Sequence, residues 1–135
     1  MSASAELQKL VYDHLLADAA IVALVGDRIY DGARAGAVAP YITFGPSDTV
    51  DDSSECIEAG EETLQLDIWS EKHGRLVEAR QICGAVRKSL KAMVGPMPDP
   101  YALVDVLNIG VRVLPDPDGI SAHGVVTVTA KVEGE

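Results

Sequence analysis

The chain is poor in several things that would reveal a function. It contains no run of about 18 apolar residues, so the sequence predicts no membrane span. Its opening, MSASAELQKL, lacks the basic-then-apolar layout of a secretory signal. Aromatic residues make up only 4%, so Val, Leu, Ile and Ala must fill the interior. There are two cysteines, Cys56 and Cys83, too few for a disulfide framework; the expectation is two reduced thiols in a cytoplasmic protein. Bases are outnumbered, with 11 Lys and Arg against 21 Asp and Glu and a formal net charge of −10. Such a chain repels phosphate backbones and anionic membranes, which argues against reading nucleic acid by sequence.

Chemical motifs are missing as well. His14, His73 and His123 stand too far apart for a zinc motif. Cys83 falls on an apolar helix position, unlike an activated nucleophile. Ser53 and Ser54 lie among acids, and GxSxG does not occur. GARAG, Gly32 to Gly36, does not fit the dinucleotide or phosphate-loop layouts and reads as a flexible loop. Residues 48–62 hold seven acids and no base, yet not in the order of a calcium loop. The expectation is no enzyme, no cofactor and no metal.

What is present is a good core: 47% apolar residues with a mean hydropathy of +0.13 in 135 residues, enough for one domain over 1–135. Leu7, Leu10, Val11 and Leu15 recur at helical spacing behind Ser4 as N-cap, predicting a helix of about 14 residues. DAAIVALVG reads as a short helix capped by Asp18 and stopped by Gly26. DRIYDGARAGAVAP reads as a loop, and PYITFGP as a short strand between Pro40 and Pro46. The acidic stretch at about 47–62 reads as a solvated loop. A strand then carries Leu64, Leu66 and Ile68 on one face and Gln65, Asp67 and Trp69 on the other. Leu76, Ala79, Ile82 or Cys83, Val86, Leu90 and Met93 mark the clearest helix. Two further strands, LVDVLNIGVRVLP and HGVVTVTAKVE, flank the turn PDPDG. The order α-α-β-β-α-β-β predicts an α+β fold, a mostly antiparallel four-stranded sheet packed on one face by two main helices.

Two features suggest contact with other molecules. Trp69, with Tyr41 and the threonines, belongs to the sheet face turned away from the helices. The basic residues are concentrated: Lys72, Arg75, Arg80, Arg87, Lys88 and Lys91 are six of the eleven. The long helix bearing Arg80, Arg87, Lys88 and Lys91 complements the acidic stretch bearing Asp51, Asp52 and Glu55. These nine residues, with Trp69 and Tyr41 among them, are the interface candidates.

In sequence order, LLADAAIVALVGDRIYDG, APYITFG and ETLQLDIWSEKHGRLVEARQICGAVRKSL together resemble the tail-terminator, or tail-completion, proteins of long-tailed bacteriophages and gene-transfer agents. The resemblance implies an α+β subunit of a hexameric ring. The ring caps the tail tube and joins it to the head connector or stopper, touching the major tail tube protein. DNA passes through its channel without specific binding. It also implies assembly in the bacterial cytoplasm, then residence in the neck and tail of the particle. A cytoplasmic small-ligand-binding or regulatory α+β domain is the alternative reading, and an enzyme with unfamiliar residues is a weaker third.

Overall fold

A computed structural model describes residues 2–134. Three helices, α1 (Ala3–Leu16), α2 (Ala19–Val25) and α3 (Val77–Lys91), cover one face of a sheet. Its strands are β1 (Ile29–Tyr30), β2 (Tyr41–Asp51), β3 (Ala59–Glu71), β4 (Ala102–Pro115) and β5 (Ser121–Glu133). The spatial order is β1-β2-β3-β5-β4. β1 runs parallel to β2, and every other neighbour pair is antiparallel.

Local chemistry explains the helices. Ser2, not Ser4, caps α1, accepting from the Ala5 amide at 3.1 Å. α2 follows the sequence reading: Asp18 accepts from the Ala20 amide at 2.9 Å, and Gly26 ends the helix at a φ of 61°. The apolar stripe of α3 buries Ala79, Ile82, Cys83, Val86 and Leu90, so both Ile82 and Cys83 belong to it. Met93 lies beyond the last turn yet is buried too.

The core lies between these helices and the sheet. Leu7, Val11 and Leu15 of α1 meet Ile42, Leu64, Leu66, Ile68, Val126 and Val128 from the strands. β5 is buried at every second residue from Ala122 to Val132, as a half-covered strand should be. Gly124 is required at this layer, because a Cβ there would run into Cys83 Sγ.

Four expectations are corrected. The sheet has five strands and is mixed, not four-stranded; β1 lies inside the stretch read as loop, and two residues are too short to show a period. Two main helices become three, since α2 contributes buried Ile21 and Val25 to the core. β2 does not stop at Pro46 but continues to Asp51. The register shifts between Phe44 and Ser47, and such a bulge accommodates a residue with no N–H to give. The acidic stretch is not a loop over 47–62: Ser47 to Asp51 pair with Gly60 to Leu64, leaving only 52–58 as the hairpin tip. Its strand residues alternate too weakly in polarity to have been read as strand: on β2 the residues from Pro46 to Asp51 are all exposed, and on β3 one of the buried positions is an acid, Glu62.

Candidate functional site

Burial pushes the Cys83 thiol up to about 11, the opposite of an activated thiol. Among the described residues, no group of three or more His, Cys, Asp or Glu side chains could hold a metal. Among them, no helix is long and apolar enough to cross a membrane. What the fold offers is three surfaces.

The first is the open face of the sheet. Tyr41, Trp69 and His123 lie side by side across β2, β3 and β5. The Trp69 and His123 rings stack at 4.1 Å with 6° between their planes. The Trp69 indole N–H donates to Thr43 Oγ1 at 3.2 Å. One residue pair along, His123 Nε2 lies 2.7 Å from Asp67 Oδ1, which also accepts from the Gln65 amide at 2.9 Å. Gly45 leaves room for this cluster, since a Cβ there would stand 2.6 Å from Asp67 Oδ2. Trp69 is therefore partly covered within its own chain and remains half-buried, with its polar atom satisfied. Burial raises the Tyr41 hydroxyl above its ordinary pKa, with Glu71 and Tyr30 adding to the effect.

The second surface is the outer side of α3. Arg80, Arg87, Lys88 and Lys91 are all exposed there. Among the described residues, none of the four has a carboxylate within ion-pair distance; Lys72 alone of this basic segment does, at 3.8 Å from Glu78. Beside them runs a groove of about 580 Å³ lined by Ala17, Ala19 and Ala20, by Ala85, Lys88, Ser89 and Ala92, and by His14 and Asp18. His14 Nε2 meets the Ser89 carbonyl at 2.8 Å. The Ser89 hydroxyl is buried beside the Asp18 carboxyl and, ahead of the Ala20 amide, holds it below its ordinary pKa.

The third is the β2–β3 hairpin tip, where every residue from Val50 to Glu58 is exposed. Ser53 braces it, donating to Asp51 at 2.7 Å and accepting from the Ala59 amide at 3.1 Å. Asp52 pairs with Lys131 at 3.2 Å, while Asp51 and Glu55 face solvent without a cation. Ile57 and Val50 expose apolar side chains between these acids.

The structure thus brings Trp69 and Tyr41 together on one surface, Arg80, Arg87, Lys88 and Lys91 on another, and Asp51, Asp52 and Glu55 on a third. Sequence reading placed Asp67 on the face of Trp69 but missed His123, which reaches both only through a register known once β5 is placed beside β3. It also missed the alanine groove, whose walls come from three helices.

Against known families, residues 9–133 match the tail completion protein gp17 family. The chain belongs to that family. Tail completion proteins are structural parts of the virion, so this one is a tail structural protein and not an enzyme. Among solved structures, a chain from the virion of a native gene transfer agent particle is 26% identical, with a TM-score of 0.87, covering 99% of this chain and 100% of its own. The gp17 protein of bacteriophage SPP1, at 19% identity and a TM-score of 0.59, covers 95% of this chain and 89% of its own, and shares the fold. No curated protein sequence matches. The family explains why a tail completion protein of this length presents charged and aromatic surfaces instead of a cleft with convergent catalytic groups.

Proposed function

We propose that six copies form a ring that caps the tail tube of a phage-like particle and joins it to the head connector. The observation that carries this is the full-length likeness to a chain of a gene-transfer particle, together with the family match over nearly the whole sequence. Three chemically distinct surfaces support it, since a ring needs two different lateral faces and at least one axial face. The lateral candidates are the α3 cations Arg80, Arg87, Lys88 and Lys91 and the tip acids Asp51, Asp52 and Glu55. Trp69 and Tyr41 are candidates for contact with a neighbour or with the major tail tube protein. The net charge of −10 suits a channel along which DNA slides without sticking. Assembly takes place in the bacterial cytoplasm, and the ring then stays in the particle neck.

Deleting the gene and supplying it in trans tests this by electron microscopy. The expected result is filled heads separated from tails, or tails of irregular length, with joined particles restored by the supplied copy. Joined particles with tails of normal length in the deletion strain would overturn the reading.

A further inference from the structure

Two surfaces of this chain complement each other and satisfy neither need internally. The α3 cations have no partner among the described residues, and the hairpin tip carries unpaired Asp51 and Glu55 around exposed Ile57. The groove beside Lys88 is walled mainly by alanines, Ala17, Ala19, Ala20, Ala85 and Ala92. We infer that the hairpin tip of one copy docks in the groove between α1, α2 and α3 of the next, Ile57 against the alanines and the tip carboxylates against Lys88 and Lys91. This rests on the ring reading and names its lateral contact.

The chemistry selects this occupant. Alanine walls leave space that a branched aliphatic side chain fills, and the groove's one carboxylate, Asp18, is turned to the α2 amides that it caps. Acidic groups around an apolar knob meet an apolar socket that has Lys88 on its lining and Lys91 farther along α3, a pairing that steers encounter and fixes register. Tip and groove are different patches, so each copy offers one of each, and the contact propagates head to tail until a ring closes.

Cys56 provides the probe, because it is exposed at the tip while Cys83 is buried. In particles carrying Ala20→Cys, a short bismaleimide should join Cys56 of one copy to residue 20 of the next. Denaturing gels should then show a ladder of covalent oligomers rising to six. A ladder that stops at two supports the tip-to-groove contact and overturns the ring. Incorporation of the variant with no cross-link, or cross-linking of Cys56 to a different tail protein, overturns the contact and leaves the ring standing. Charge reversal gives a second readout. Lys88→Glu with Lys91→Glu, or Asp51→Lys with Glu55→Lys, should each weaken self-assembly about tenfold or more. All four in one chain should recover most of the loss. Mixing the two double variants should restore assembly with the two alternating, because an acidic tip then meets a lysine-bearing groove at one contact and a lysine tip meets a glutamate-bearing groove at the next. Additive loss in the quadruple variant would refute the pairing.

Discussion

Trp69 answers to two masters, its own sheet and whatever lies above it. The stack on His123 and the hydrogen bond to Thr43 give the monomer a reason to keep it, and its remaining exposure gives a partner one. Trp69→Ala should cost the isolated chain about 1–2 kcal/mol in chemical denaturation, the scale of one aromatic pair plus partial burial. Its effect on assembly should be larger, about 2 kcal/mol or more, if the exposed side is covered in the particle. Equal losses in both measurements would make it an intrachain residue only. Gly45 is a cleaner residue-scale case, because the 2.6 Å approach of Asp67 Oδ2 leaves no room for a methyl group. Gly45→Ala should lower stability by about 1–3 kcal/mol and disturb the Asp67–His123 contact. A urea midpoint unchanged from wild type would show that Asp67 can turn away freely.

Each element with a strong period declared itself in the sequence. The α3 stripe, the alternation of β3 and β5, and the Asp18 and Gly26 boundaries of α2 could be read because burial on one side imposes a pattern. The strand β1 and the outer half of β2 could not, since two residues hold no period and an exposed acidic hairpin looks like a loop. Trp69 and Asp67 were legible as sharing the polar face, but their neighbour His123 depends on sheet order, which periodicity does not encode. At the start of α2, the lowered pKa of Asp18 makes a signed prediction. The cap contributes fully above the ordinary carboxylate range and is lost as the pH falls from about 4 through the lowered folded value. Asp18→Ala should therefore cost about 1 kcal/mol at neutral pH, with the difference from wild type shrinking in acid. Asp18→Asn should keep most of the cap and lose that pH dependence. On α3, Gly84 is exposed mid-helix with open space where a Cβ would stand. Gly84→Ala should raise stability by about 0.5–1 kcal/mol in thermal or urea unfolding.

For the whole molecule, the charge of −10 sets the relation to DNA. Purified protein should fail to retard duplex DNA even at low salt, where phosphate contacts are strongest. Retardation abolished by Arg87→Glu with Lys88→Glu would mean that α3 lines the channel and not the seam between subunits. The sheet order has a consequence for how the chain is made. β5 lies inside the sheet, between β3 and the edge strand β4, and its pairing with β3 reaches Glu133. On the ribosome, the β2–β3 hairpin emerges first and waits with one long edge bare while residues 72–133 are synthesised. At about 5–20 residues per second, the interval is roughly 3–12 s. Throughout it, nascent chains on one messenger carry identical unpaired strands close together, and the acids that crowd this hairpin keep them apart until the last strand slides in.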